Sequence, residues 1–430
     1  MPSLGCRPAG YTHQYGSGSD LVGPGGRTRN ALGGDDNRNR HSRSGSLQDP
    51  TQRRVTPLRI AHVSDTHIGY SAYSKVDEAT GLNQREVDVF HAFERLVDKL
   101  LELRPEAVLH SGDLFDSVRP TNRAISFALD QLARLVEAGI PVVVIAGNHS
   151  TPRLQETGSV FRILEHLDGI HPVYKGAYER IELGDTSVHA VPHSDREILT
   201  ENLSSVSPSK ATKYNVAMMH AGIIGLGVFR MNEFNEALVQ SSYLRKDMDY
   251  IALGHYHGSC EVAPNAWYSG STERLSFAEA GQEKGFLIVD LKRGKKELVK
   301  LETREMVDLG PIDAMRLDGP ALRSEMSELL EPPDLSGKIV RMRIKNLSPS
   351  LHKTLDFNWM KQATSGATHF ELRCELLQEG TAVQSTGAAL DSLDREFVSF
   401  LERYPVEKAD KERIREMGLE YLRRGMEESS

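Results

Sequence analysis

From Leu58 to Leu291 short apolar runs alternate with longer stretches in which apolar residues recur every three or four positions. LRIAHV (58–63), AVLH (107–110), PVVVIA (141–146), SVHAV (187–191), NVAMM (215–219), DYIAL (249–253) and GFLIVDL (285–291) read as buried strands. Phe90, Phe93, Val97 and Leu100 repeat at helical spacing, as do Ile125, Leu129, Leu132 and Val136. Strand, helix, strand in that order predicts an α/β domain whose helices cover the faces of a sheet.

Beyond Leu291 the pattern predicts a second, smaller α/β unit. A charged strand-like stretch precedes helix-like ALRSEMSELLE (321–331), strand-like KIVRMRIKNL (338–347), helix-like LHKTLDFNWMKQ (351–362) and strand-like HFELRCELL (369–377). Gly380 to Ala389 is rich in Gly, Ser and Thr and reads as a linker. After it, Leu393, Phe397, Phe400, Leu401 and Tyr404, then Ile414, Met417, Tyr421 and Leu422, form two amphipathic stripes flanking Pro405. Residues 1–56 are rich in Gly, Ser, Arg and Asn and too poor in apolar clusters to offset the entropy of ordering, so disorder is expected there. They lack the layout of a secretory signal, and read as a flexible tail or a start codon placed too early. The expected boundaries are a tail at 1–56, the α/β domain at 57–300, the second unit at 301–378, a linker at 379–390 and a helical tail at 391–430.

Composition narrows the partners. With 52 Lys plus Arg against 60 Asp plus Glu, the net charge of −8 denies the chain a bulk attraction to nucleic acid, so any DNA contact must come from local patches. No run of about eighteen apolar residues exists to span a bilayer, so no membrane insertion is expected. The 3 cysteines, Cys6, Cys260 and Cys374, lie far apart, which argues against a disulfide framework or thiolate zinc site and favours a reducing cytosol.

The chemistry is concentrated at strand ends. Asp65 and His67 follow the first strand in SDTHIG, and Asp113 and Asp116 the second in SGDLFDS. Asn148 and His149 follow the third in AGNHS, His220 follows NVAMM, and His255 and His257 follow DYIAL in GHYH. Ligands of open α/β sheets bind outside the carboxyl ends of the strands, so these residues are expected to converge in one crevice of the sheet. Carboxylate, imidazole and amide oxygen without thiolate suit Mn(II), Fe(II) or Zn(II). A pair of such ions serves in-line displacement at phosphorus.

The order DxH, GDxxD, GNH, H, GHxH from Asp65 to His257 resembles the calcineurin-like metallophosphoesterase superfamily. That resemblance implies a metallophosphoesterase sheet sandwich flanked by helices, with a smaller α/β cap domain and a C-terminal helical tail. It also implies one metal on Asp65, His67, Asp113 and His257 and a second on Asp113, Asn148, His220 and His255, bridged by Asp113. His149 would be the general acid, with Asp116 orienting its ring. Where the family often has an acidic residue after GNH this chain has Ser150, which removes an expected supporting hydrogen bond.

DTHIGY with NQREVD, SGDLFDSVRPT, and YSGSTERLSFAE after GHYH resemble more narrowly the SbcD-type exonucleases of DNA double-strand-break repair. The resemblance implies 3′-to-5′ exonuclease and single-strand endonuclease action with two Mn(II) ions, in a homodimer working with an SbcC-type coiled-coil ABC ATPase. Phe397, Leu401, Ile414, Met417 and Leu422 would dock that ATPase. Arg85, Arg119 and Arg123 follow catalytic strands and are candidates for DNA phosphates, or for surface ion pairs. The basic positions of KIVRMRIK read as facing solvent rather than DNA. His62, His91, His110 and His189 read as packed or surface histidines, and His193, at a strand end, as one to watch. Two rival functions remain: hydrolysis of a small-molecule or protein phosphoester, and a DNA-end scaffold in which hydrolysis is incidental.

Overall fold

The structure, a computed structural model, describes residues 58–151, 158–224, 237–331, 334–377, 397–398, 401, 411–415, 417–419 and 421. The expected disordered tail, the linker and Leu422 lie outside the described residues.

The chain begins β1 (Arg59–Val63), α1 (Gln84–Leu103), β2 (Ala107–His110), α2 (Asn122–Glu137), β3 (Val142–Ile145) and β4 (Ile170–Val173). It continues with β5 (Glu179–Leu183), β6 (Thr186–Val191), α3 (Arg196–Ser205), β7 (Tyr214–His220), β8 (Gly222–Ile224), β9 (Leu238–Gln240), β10 (Tyr250–Gly254), β11 (Cys260–Ala263) and β12 (Ala266–Tyr268). β13 (Gly285–Asp290) and β14 (Lys295–Lys300) close this part. Two 6-stranded sheets result, in the orders β14-β13-β1-β2-β3-β4 and β11-β12-β10-β7-β6-β5. β1 to β4 pair in parallel, as do β6, β7, β10 and β12.

Strand alternation explains why the predicted runs are apolar throughout. Ile60, Leu109 and Val143 of the first sheet meet Val216, Met218 and Ala252 of the second in a shared core. The intervening Ala61, Val108 and Val142 face Phe93, Val97 and Leu132 on α1 and α2. Ala217, Met219 and Ile251 pack with Leu199 and Leu203 of α3 on the far side. Strands buried on both faces lose the polar alternation of a half-exposed sheet. His62 is the polar exception in the shared core. Its Nε2 donates to the Leu253 carbonyl (3.1 Å) and its Nδ1 accepts from the Tyr250 hydroxyl (2.8 Å), tying the two sheets together. Burial pushes this imidazole down to about 3, so it is neutral.

A third sheet is made of β15 (Met306–Asp313), β16 (Ile339–Leu347) and β17 (His369–Leu376), all parallel. α4 (Gly319–Leu330) supplies Leu322 and Met326, and α6 (Phe357–Ala363) Met360, to its core with Val340, Met342 and Ile344, while α5 (Pro349–His352) adds the half-buried Leu351. The single helix expected at 351–362 is two, because the Asp356 carboxylate accepts from the Trp359 amide and starts a new helix. Arg341 and Arg343 of β16 turn to a neighbouring acid, both bonding Asp308, and Lys338 just before the strand pairs with Glu305.

At the root of this sheet Arg304 donates to both oxygens of Asp88 on α1, each at 2.7 Å, and to Thr368 Oγ1 at 2.9 Å. Asp88 also accepts from Arg85, which is 1% exposed. Among the described residues no helix is long and apolar enough to cross a membrane.

Candidate metal centre

The predicted ligands converge, but from two sheets rather than one. β1, β2 and β3 deliver Asp65, His67, Asp113, Asn148 and His149, while β7 and β10 of the second sheet deliver His220, His255 and His257. Only the packing of sheet against sheet brings these strand ends together. In register, Gly254 lies beside His220.

Backbone bonds extend the pairing of β1 and β2 past their ends: Asp65 N donates to Gly112 O (3.0 Å), His67 N to Asp113 O (3.0 Å) and Ile68 N to Leu114 O (2.8 Å). The crossing is tight enough that Asp65, His67, Asp113 and His255 all take positive φ (52°, 46°, 52° and 101°). Non-glycine residues rarely adopt this region, and such strain clusters where side chains must be aimed. The motif glycines have a steric reason as well. A Cβ on Gly112 would enter the His220 ring, and one on Gly254 would enter the Ser111 carbonyl.

The hydrogen bonds fix which ring nitrogens are free. Nδ1 of His67 donates to Asp116 Oδ1 (3.1 Å) and Nδ1 of His257 to Glu279 Oε1 (3.0 Å). Their Nε2 lone pairs then face each other at 3.2 Å. Nδ1 of His220 donates to Ser111 O (2.9 Å), which turns its Nε2 toward Asn148 Oδ1 (2.8 Å) and Asp113 Oδ2 (3.1 Å). His255 Nδ1 lies 3.3 Å from the same amide oxygen. Acceptors facing acceptors repel unless a cation lies between them. Donors about 2.0–2.2 Å from one ion stand about 3 Å apart when adjacent, which is the spacing observed. The donor set and its spacing therefore fit divalent metal.

The electrostatics make the same demand for positive charge. Burial alone would lower His220, yet the carboxylates of Asp113 and Asp65 raise it to about 9. Asp113 is held well below the carboxylate range, with His220 and His67 overcoming the opposing effect of burial. His255, by contrast, is pushed down to about 3 by burial and by His220, so its ring is neutral at neutral pH. Among the described residues three groups, Asp65–His67–His257, Asp65–Asp113–His220 and His67–Asp116–His149, bring ligand atoms close enough to hold an ion.

The expected acid, His149, and its expected support differ from expectation in one atom. His149 Nδ1 donates to the main-chain carbonyl of Asp116 (2.8 Å), not to its carboxylate, which is engaged with His67. His149 N is fixed by Asp113 Oδ1 (3.0 Å). Ser150 is 1% exposed and its hydroxyl has no hydrogen-bond partner among the described residues, so the serine supplies no substitute for an acidic side chain. His193 is buried against His220, ring centroids 6.4 Å apart, and burial lowers it to about 4.

Arg85 requires correction as a DNA contact. Its guanidinium is buried, ion-paired with Asp88 and Glu273 and bonded to the Arg274 carbonyl, so it cannot reach a phosphate. Arg123 is half exposed and already holds Glu86, while Arg119 is exposed on the loop after β2. In the tail, Leu401 is buried and Phe397 half-buried against the helix turn at Gly418; Ile414 and Met417 are exposed. Sequence reasoning missed Glu279 and Lys284. The Lys284 ammonium bonds Glu279, Ser271 Oγ (2.9 Å) and the His257 carbonyl (2.9 Å). Glu279 lies within the quoted YSGSTERLSFAE, but nothing local to that string aims it at His257.

The calcineurin-like phosphoesterase family profile matches residues 58–259. Among curated proteins, the DNA double-strand break repair protein Mre11 of Methanococcus maripaludis is 30% identical over 54% of this chain and 63% of its own length. That of Methanocaldococcus jannaschii is 29% identical over 66% of this chain and 77% of its own. The Sulfurisphaera tokodaii protein is 34% identical over 47% of this chain and 50% of its own. The matches thus span half to about three quarters of these relatives. Residues 58–259, whose strand ends form this candidate metal centre, match the calcineurin-like phosphoesterase family and are similar in sequence to the Mre11 DNA repair proteins.

Proposed function

We propose that this chain is a metal-dependent nuclease of DNA double-strand-break repair that hydrolyses phosphodiester bonds, acting 3′ to 5′ on duplex ends and endonucleolytically on single strands. The observation that carries the reading is the convergence of imidazole lone pairs, carboxylates and an amide oxygen at about 3 Å from one another, with the outer ring nitrogens already committed. Asp65, His67, Asp113, Asn148, His220, His255 and His257 would hold two divalent ions, proposed as Mn(II). When bound, such ions neutralise charge on the phosphoryl oxygens.

The chain's own groups do the rest. His149 is fixed at Nδ1 by Asp116 O, which leaves Nε2 to carry a proton to the departing alkoxide. Asp116 and Glu279 hold the rings of His67 and His257 in the tautomer that presents Nε2 inward. Arg119 and Arg123 are the proposed phosphate contacts. The third sheet is proposed as the cap over DNA, and the tail with Phe397, Leu401, Ile414, Met417 and Leu422 as the seat of an SbcC-type ATPase. The working form is a homodimer in the cytoplasm, at the nucleoid.

The test is Mn(II)-dependent degradation of end-labelled linear duplex by the purified chain, with Asp113→Ala as the control for contaminating nuclease. Loss of label in the wild type alone is expected. An inert wild type that is folded and metal-loaded, or one that hydrolyses a small chromogenic diester far better than DNA, would overturn the reading.

A further inference from the structure

One turn touches both the metal centre and the third sheet. Residues Phe277–Glu279 form a single 3-10 turn. Its last residue, Glu279, is 4% exposed and accepts from His257 Nδ1 through Oε1. Oε2 of the same carboxylate accepts from Lys284 Nζ and from Ser271 Oγ (3.3 Å). Lys284 also donates to the His257 main-chain carbonyl, so ring and backbone of this ligand are held by one buried ion pair.

The first residue of the turn points the other way in its contacts. Phe277 is 8% exposed and packs with Met306 of β15 and Ile339 of β16, and Tyr73 joins the same cluster. The Arg341 guanidinium lies 4.5 Å from the centre of its ring. Tyr73 in turn stacks on His369 of β17, centroids 3.9 Å apart. All three strands of the third sheet therefore contact this small cluster. Phe277 and Glu279 are two residues apart in one hydrogen-bonded turn, so neither side chain can shift far without moving the other. Close-packed clusters transmit displacement rather than absorb it.

We propose that the Phe277–Glu279 turn couples the position of the third sheet to the metal ligand His257, so that Phe277 is a positioning residue for metal although it touches no ligand. Displacement of the sheet draws the turn, Glu279 releases the His257 ring, and the ion facing Nε2 is bound less tightly. The third sheet thereby governs metal retention. The inference rests on the metal-centre reading above.

The experiment uses the full chain stripped with a chelator and titrated calorimetrically with Mn(II), for wild type, Glu279→Ala, Glu279→Gln, Phe277→Ala and Phe277→Leu. Glu279→Ala is expected to weaken one class of Mn(II) site about 10–100-fold, the usual range for a residue supporting a metal ligand. Glu279→Gln keeps an oxygen for Nδ1–H and recovers part of that loss. Phe277→Ala weakens the same class of site about 10-fold, and Phe277→Leu, which refills the cluster, restores it. In the double variant Phe277→Ala adds little to Glu279→Ala, since both act through one ring. Histidine ring nitrogen shifts in the apo proteins report the His257 tautomer independently of activity. Circular dichroism identifies variants that fail to fold; should Phe277→Ala fail, Met306→Ala carries the same expectation from the sheet side. A folded Phe277→Ala or Met306→Ala that binds Mn(II) like wild type overturns the coupling while leaving the metal centre intact. A wild type that binds no Mn(II) overturns both.

Discussion

Asp88 joins α1 to the root of the third sheet, and replacing it with asparagine tests that joint without changing its shape. Four donors converge on the carboxylate. Oδ1 accepts from Gln84 Nε2 (3.1 Å) and Arg304 Nη2 (2.7 Å), and Oδ2 from Arg85 Nη1 (2.5 Å) and Arg304 Nε (2.7 Å). In Asp88→Asn one oxygen keeps its pair of bonds, and the amide NH2 meets two guanidinium or amide donors head-on. Hydrogen bonds to charged groups contribute about 1.5–3 kcal/mol each, so two lost bonds come to about 3–6 kcal/mol. Breaking a buried pair from one side costs a similar amount, about 3–5 kcal/mol, because the other charge stays buried. Arg304 keeps 21% side-chain exposure, so water recovers part of the loss and about 3 kcal/mol is expected. The chain has 2 tryptophans, Trp267 in β12 and Trp359 in α6, so two single-tryptophan versions report separately on the second and third sheets during urea unfolding. The Asp88 carboxyl is held below its ordinary value: burial opposes this, and Arg304 and Arg85 outweigh it. A depressed carboxylate contributes stability that is fully present above its unfolded pKa and lost as pH falls through the folded one. The wild-type and Asp88→Asn stabilities should therefore run parallel above about pH 4 and converge below it. A loss under about 1 kcal/mol at both tryptophans, the level of a surface pair, would refute the argument.

Three further outcomes follow from the metal centre. Mn(II) at about a hundred times its dissociation constant should stabilise the stripped wild type by about 2.7 kcal/mol in the same urea assay, and Asp113→Ala should abolish that gain. His149→Ala should lower the rate of phosphodiester hydrolysis about 10²–10⁴-fold with Mn(II) affinity unchanged, since a proton donor is lost and no ligand; weakened metal binding would show that the role is wrong. Gly112→Ala, which forces a side chain into the His220 ring from a φ of +102°, should cost metal binding even where the chain folds, and calorimetric affinity equal to wild type would contradict the close approach.

What the sequence by itself determined was the local grammar. Seven apolar runs became β1, β2, β3, β6, β7, β10 and β13 with ends within about a residue, because strands buried on both faces leave an uninterrupted apolar signature. Strands such as β5 and β11, with exposed or half-buried residues, carried no such signal. The convergence of the candidate ligands was equally legible, since DxH, GDxxD, GNH and GHxH each place polar residues directly after a strand.

Tertiary structure decided everything that depends on which distant groups meet. That the strand ends come from two sheets, and meet at one place, follows from the packing of one sheet on the other. Arg85 reads in NQREV as a free cation, yet burial joins it to Asp88 and Glu273, a residue far along the chain. Asp116 was correctly drawn to the site but holds His67 with its carboxylate and His149 with its carbonyl, a division that only atomic positions can make. Glu279 and Lys284 were invisible for the same reason. Periodicity records the burial of each position, whereas the partner of a buried charge is chosen by the folding of segments that the sequence holds apart.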